Sequence, residues 1–386
     1  MLTAHVNNRL FTAFHHSREE LLKLRSSTPT ITCPHCRKPL VLKIGSKTIP
    51  HFAHQLKQDC PVMHKGESRL HHSGKIILYD RFHSLFPDVK VEYFLKEINQ
   101  IADVFITSGT ARMAVEVQCS TLSAAELKKR TEGYRSLGIQ VIWLLTEGAP
   151  RPSGALRLSS FQQAFLRHAE PLGLFLLLFL PDQLEFHLYQ NLIPLSANTF
   201  HASRPHKIPV STFTIPMTIG QAPVRTFPYG VWDRSRTSWI QRILRYPTEQ
   251  AFKREVYQSG DILLYLPQWV GLSPHHRIET HPVIWQYYLW SDTLKKGDTG
   301  LDTIISALAV RVESGDVRVR DLPLVDQDGC PLEEVVNWYL SLLQKLGIVT
   351  VEEGMCRLLQ EWECPETFDL YMRHRTDFFS TIRHIV

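Results

Sequence analysis

Residues 89–145 carry the densest pattern in the chain, VKVEYFLKEINQIADVFITSGTARMAVEVQCSTLSAAELKKRTEGYRSLGIQVIWLL. Three runs rich in β-branched and aromatic residues, Val89–Phe94, Ile101–Ile106 and Ala111–Val117, read as strands. Ser123–Leu137 carries a helical pattern, and Ile139–Leu145 reads as a buried strand. Side chains alternate across a strand, so Glu116 and Gln118 share one face while Val115 and Val117 point the other way. With the second and third strands as hairpin neighbours, Asp103 comes beside that pair. A carboxylate inside the apolar run Ala114–Val117 needs a partner or a metal, because an isolated buried charge is costly. Two carboxylates at one sheet edge suit a hard divalent cation such as Mg²⁺. Such an ion activates water and neutralises charge on a phosphate during hydrolysis.

The other signals narrow the class. A chain of 386 residues is long enough for two or three domains. Its most apolar run, Leu172–Leu180, falls far short of the roughly 20 residues that cross a bilayer. The start MLTAHVNNRLFTAF lacks the basic end and apolar core of a signal peptide, so a cytoplasmic protein without membrane insertion is expected. The net charge of +5 is compatible with a polyanionic partner without requiring one. Seven cysteines, an odd number, do not form a disulfide framework.

Three of those cysteines lie among histidines. In TCPHCRKPLVLKIGSKTIPHFAHQLKQDCPVMH, Cys33 and Cys36 are spaced as a zinc knuckle. LVLKIG and KTIPHFAH read as hairpin arms turning at Gly45–Ser46. Zinc takes four nitrogen or sulfur ligands. The segment offers Cys33, Cys36, His51, His54 and Cys60, with His64 in reserve. The preferred four are Cys33, Cys36, His54 and Cys60, with His51 the alternative. The role expected of Zn²⁺ is structural, since so small a hairpin cannot bury a core unaided. Ahead of it, a strand near Leu10–Phe14 precedes a helix from Ser17 to Leu24, with Ser17 and Glu20 spaced as a capping box.

A helix is expected over Glu67–Phe86, with Leu70, Ile77 (or Ile76) and Tyr79 to Leu85 facing the core. Glu67, His71 and Lys75 step along another face, where His71 and Lys75 are candidate DNA contacts. Gly74 weakens that helix without an evident reason. On the later helix, Arg130 and Tyr134 lie one turn apart and form a second candidate DNA-binding pair.

Beyond residue 145 the signals are architectural. A linker leads to a helix at Phe161–His168, a hairpin of Leu172–Phe179 with Leu184–Tyr189, and an extended stretch over Ala197–Tyr229. Helical patterns then dominate, at Trp239–Arg245, Glu249–Ser259, Pro282–Leu294 and Leu301–Val310. PLEEVVNWYLSLLQKLGIVTVEEGMCRLL reads as a helix and hairpin of winged-helix type, although its four glutamates oppose phosphate contact. Cys330, Cys356 and Cys364 read as packed thiols.

CPHC, HFAH, ESRLHHSGK, IADVF, AVEVQCS, the helix with Arg130 and Tyr134, and VIWLL together resemble the competence protein CoiA family. The strand-Asp, strand-Glu-x-Gln and following helix resemble the PD-(D/E)xK nuclease core, with Gln118 where Lys usually stands. The resemblance implies an α/β restriction-endonuclease-like core (helix, three strands, helix, strand), a small N-terminal zinc hairpin and a mostly helical C-terminal region. It places the segments at 1–66, 67–150, 151–230 (hairpin and connector) and 231–386. It further implies a deoxyribonuclease using Mg²⁺ or Mn²⁺ on Asp103 and Glu116, with Gln118 positioning water and Glu67 reaching toward the metal. The implied partners are single-stranded or branched DNA and a recombinase or the DNA-uptake machinery, in natural transformation. The competing reading is an accessory factor that holds DNA without cutting it, which the missing lysine at 118 keeps open.

Overall fold

The computed structural model describes residues 1–46, 48–55, 60, 67–146, 155–217, 229–272, 274–325 and 331–382. His64 and Cys330 lie outside the described residues, as do parts of the expected linker and extended stretch. At the N-terminus, β1 (Thr3–Val6) lies between β2 (Arg9–Thr12) and β3 (Ile31–Thr32). Asn7 and Asn8, at φ 48° and 66°, make the two-residue hairpin turn. The strand expected to run to Phe14 stops at Thr12, and Ala13–His15 coil into a single 3-10 turn. α1 (Arg18–Ser26) starts on the expected capping box, with Ser17 N donating to Glu20 Oε2 at 2.7 Å. β4 (Leu40–Lys43) and β5 (His51–His54) follow as a hairpin.

α2 (Arg69–His83) begins two residues later than expected, because Ser68 caps it by accepting from His71 N. It packs across β6 (Asp88–Leu95), β7 (Gln100–Ser108) and β8 (Ala111–Gln118), an antiparallel meander. Leu78 and Phe82 of α2 meet Val104, Val115 and Val117 in one core. Gly74 sits where the helix touches the sheet: a Cβ there would lie 3.1 Å from Val117 Cγ1 and 3.3 Å from Phe179 Cε1. The glycine thus permits a close approach that any side chain would obstruct.

α3 (Ala124–Ser136) covers the opposite face and returns the chain, so β9 (Gln140–Leu145) lies parallel to β8. Both faces of the sheet are covered, which explains why its strands read as nearly continuous apolar runs.

The sheet does not end there. After β10 (Ala155–Arg157) the helix expected over Phe161–His168 is only one turn, α4 (Ser160–Gln163). Phe165 and Leu166 enter the core, and β11 (Arg167–Ala169) pairs with β12 (Gly173–Leu180), whose ladder satisfies that backbone better than an isolated helix end. β12 adds to β9 in parallel, and β13 (Glu185–Tyr189) pairs with β12. β14 (Ile193–Pro194) and β15 (Thr199–His201) form a small sheet with β10, and β16 (His206–Pro209) closes the far edge of the main one. The resulting strand order is β16-β13-β12-β9-β8-β7-β6, a mixed sheet.

The C-terminal part is mostly helical: α5 (Tyr229–Arg245), α6 (Gln250–Gln258), α7 (Pro282–Asp292), β17 (Thr299–Gly300), α8 (Leu301–Glu313), α9 (Leu332–Lys345), β18 (Val349–Glu352), β19 (Met355–Leu358) and α10 (Phe368–Ile382). α5 extends ten residues N-terminal of the expected start at Trp239. α7 is buried from Pro282 to Trp290, and its aromatic residues form the centre of this core. Cys356 is a buried thiol as expected, whereas Cys364 is exposed. Among the described residues no helix is long and apolar enough to cross a membrane.

Candidate active site

The β7–β8 ladder has Val104 opposite Val115. One residue further in the same register, Asp103 faces Glu116. There the ladder gives way to a side chain: Val117 N donates to Asp103 Oδ2 at 2.8 Å. His71 Nε2 donates to the same oxygen at 3.0 Å. Burial disfavours the Asp103 carboxylate, but His71 and Lys75 beside it hold its pKa below the ordinary value.

Glu67 lies just ahead of the α2 cap and turns inward. Its Oε2 accepts from His72 Nε2 at 2.7 Å, and its Oε1 accepts from Lys75 Nζ at 2.7 Å. Burial opposes its charge, and the His72 hydrogen bond with the Lys75 ammonium more than reverses that, holding it far below the carboxylate range. Glu116 is engaged on the other side. Its Oε1 accepts from Arg130 Nη2 at 2.7 Å and from the Tyr134 hydroxyl in a close contact. Burial pushes its carboxyl up to about 7 despite the Arg130 guanidinium. Gln118 is buried, and its Nε2 donates to Ser120 O at 2.6 Å. Asp103, Glu116, Gln118, Glu67, His71 and Arg130 all line one cleft of about 910 Å³.

Two sequence expectations change. Lys75, expected on DNA, is fully buried, with Nζ held by Glu67 and by Glu92 Oε1 at 2.7 Å each. Its ammonium therefore cannot reach a phosphate. Tyr134, also expected on DNA, is fully buried with its hydroxyl on Glu116. It packs under the carboxylate as a positioning group. Arg130 keeps a quarter of its side chain exposed and lies 4.8 Å from the Trp143 ring centroid, so it remains at the cleft.

Glu92 was missed. It stands in an otherwise strand-like run but at φ 53°, a left-handed conformation that redirects its side chain. It accepts from Leu2 N at 2.8 Å, Thr3 N at 3.0 Å, Thr3 Oγ1 at 2.9 Å and Lys75 Nζ at 2.7 Å. Burial raises its pKa and the Lys75 ammonium more than offsets this, bringing it to about 2. The one available signal was a carboxylate in an apolar strand. Glu92 ties the N-terminal segment to the floor of the site.

The second cluster lies in that N-terminal segment. Cys33, Cys36, His54 and Cys60 bring their ligand atoms within 4.8 Å of one another, and Cys36 Sγ is 3.3 Å from His54 Nε2. Four soft or borderline donors converging in this way suit a tetrahedral metal ion. His51, the alternative ligand, lies outside the group. Its Nδ1 donates to Ile49 O at 2.9 Å, and its ring lies 5.3 Å from that of His72.

Residues 67–221 match the sequence model of the nuclease-like domain of competence protein CoiA, which defines the class: a nuclease-like α/β protein. Residues 13–63 match the N-terminal domain of competence protein CoiA and residues 227–365 its C-terminal domain. The chain belongs to the competence protein CoiA family. It is similar to the competence protein CoiA of Bacillus subtilis (strain 168), with 28% identity over 328 residues that cover 82% of this chain and 86% of the relative. No solved structure gives a significant match.

Proposed function

We propose that the protein is a metal-dependent deoxyribonuclease acting on single-stranded or branched DNA during natural competence, in the cytoplasm. The observation that carries this reading is the convergence of Asp103, Glu67 and Glu116 on one cleft with Arg130 at its side. The antiparallel meander followed by a parallel strand supports a restriction-endonuclease-like core of the PD-(D/E)xK type. The carboxylates fit a divalent cation, Mg²⁺ or Mn²⁺, because the buried Asp103 and Glu116 and the half-buried Glu67 are oxygen donors edging open space. When bound, that ion supplies a polarised water and charge neutralisation at the phosphate.

The chain's own residues do the rest. Asp103 is oriented by the Val117 amide, and Glu67 by His72 and Lys75. Arg130 offers a cation to the scissile strand. Gln118 orients water but carries no charge, so turnover is slower than a lysine at that position would give. The Cys33, Cys36, His54 and Cys60 group supports a structural Zn²⁺ that holds the N-terminal segment. At the C-terminus, β17, α8, α9 and the β18–β19 hairpin, in the sheet order β17-β19-β18, support a winged-helix-like packing unit. Glu333 and Glu334 in the first turn of α9 argue against its reading DNA. A recombinase or a component of DNA uptake is the expected protein partner.

A second reading has its own support. Glu116 Oε1 is occupied by Arg130 and Tyr134, and Gln118 Nε2 by Ser120, an arrangement suited to holding DNA without cutting it. Labelled single-stranded, duplex and branched DNA, incubated with Mg²⁺ or Mn²⁺ beside the Glu116→Ala variant, separates the two. Metal-dependent cutting that the variant loses supports the nuclease. Binding without cutting in every lane supports the accessory factor.

A further inference from the structure

The group of possible metal donors that converges in the cleft includes a histidine as well as carboxylates. Glu67, His71 and Asp103 place one donor each within 4.8 Å of the others. His71 stands between the two carboxylates, with Nε2 3.0 Å from Asp103 Oδ2 and Nδ1 3.5 Å from Glu67 Oε1. His71 lies in the first turn of α2, and Glu67, just ahead of the Ser68 cap, folds back so that its carboxylate reaches the His71 ring. Ser68 fixes that turn by accepting from His71 N at 3.2 Å. With Nε2 donating to Asp103, Nδ1 is the imidazole nitrogen left for a metal, beside Glu67 Oε1, which accepts one hydrogen bond from Lys75 and keeps a second lone pair. Asp103 Oδ2 already accepts from Val117 N and His71 Nε2, so Oδ1 is the oxygen with lone pairs to give. The three side chains are each between a tenth and a fifth exposed, all on the cleft side.

An imidazole nitrogen changes which ion such a site prefers. Mg²⁺ selects oxygen donors and gives up water reluctantly. First-row transition ions accept imidazole, and their affinity for mixed nitrogen and oxygen sites rises from Mn²⁺ onward. We propose that His71 is a metal ligand, together with Asp103 and Glu67, and that its imidazole makes this site select Mn²⁺ over Mg²⁺. The inference deepens the nuclease reading by naming the ion and its nitrogen ligand, and it rests on that reading only for the identity of the cleft.

Binding, not turnover, tests it. Mn²⁺ titrated into the zinc-loaded full chain, followed by the loss of the free-ion electron paramagnetic resonance signal, gives the Mn²⁺ affinity. Competition with Mg²⁺ gives the ratio of the two. The wild type is expected to bind Mn²⁺ at least about tenfold more tightly than Mg²⁺, with His71→Ala removing most of that preference and Asp103→Ala weakening both ions. The Mn²⁺-loaded wild type is also expected to show electron–nuclear coupling to an imidazole ¹⁴N that Asp103→Ala abolishes, a readout independent of whether His71→Ala folds. An unchanged Mn²⁺ to Mg²⁺ ratio in a folded His71→Ala protein, or absence of nitrogen coupling in the wild type, would overturn the proposal. Absence of DNA cutting would count against the nuclease and leave the ligand assignment standing. Cutting with no nitrogen coupling would do the reverse.

Discussion

Lys75 Nζ lies 2.7 Å from Glu92 Oε1, in a pair that is almost completely removed from solvent. Neither ion survives burial alone, because desolvation is repaid only while both partners and their hydrogen bonds are in place. Lys75→Met leaves Glu92 and Glu67 without their shared cation and is expected to destabilise the fold by roughly 3–5 kcal/mol. A urea melt measures this. A loss under about 1 kcal/mol would show that the pair is not the anchor of the N-terminal segment.

Gly74 allows α2 to meet the sheet. Alanine would gain about 1 kcal/mol of helix propensity. Its methyl, however, enters space bounded by the buried Val117 and Phe179, and overpacking costs roughly 1–3 kcal/mol. Gly74→Ala should therefore be mildly destabilising and Gly74→Val strongly so, in thermal unfolding. A more stable Gly74→Ala protein would mean that those neighbours yield.

Neutral histidines, His275 and His281 buried and His276 half-buried, make the C-terminal part acid-sensitive. Burial lowers the pKa of His275 to about 3 and of His276 to about 2, and drives that of His281 well below the ordinary histidine value. Below pH ~6.5 the unfolded chain takes up these protons while the folded chain does not. Stability is thus full above pH ~6.5 and falls as the pH drops toward 3, by up to about 1.4 kcal/mol per pH unit for each group. Urea midpoints followed by tryptophan fluorescence should fall between pH 7.5 and pH 5. Equal midpoints would contradict this account of the three histidines.

The cysteine cluster makes a compositional prediction. The purified protein should carry one zinc per chain, and Cys33→Ser should lower both that content and the stability of the N-terminal segment. His51→Ala should leave the content unchanged, since its ring faces His72 and the Ile49 carbonyl. Equal zinc loss in both variants would point to a different ligand set.

Much of the core was legible because period-two alternation and charge in apolar strands are local signals. Asp103, Glu116 and Gln118 announced a shared face in this way, and the structure brings them to one cleft. Glu92 did not, because its left-handed backbone breaks the alternation on which such reading depends. Lys75 and Tyr134 read as surface contacts since nothing local says that carboxylates from distant strands fold over them. The expected helix at Phe161–His168 failed for a related reason. Its backbone is claimed by β12, a partner that local periodicity cannot foresee. The parallel join of β12 to β9 is likewise a long-range pairing, so the sheet extends past the point where the sequence motif ends.

The central claim is metal-dependent hydrolysis at Asp103. Its most direct test is the single-turnover cleavage rate of labelled single-stranded DNA with saturating Mn²⁺, for the wild type and for Asp103→Asn. The account predicts measurable cutting by the wild type, abolished by chelator. Asp103→Asn should reduce it by at least about 10²-fold, with DNA retention within a few-fold of wild type. Equal rates in the two proteins, or cutting that persists in chelator, would contradict it.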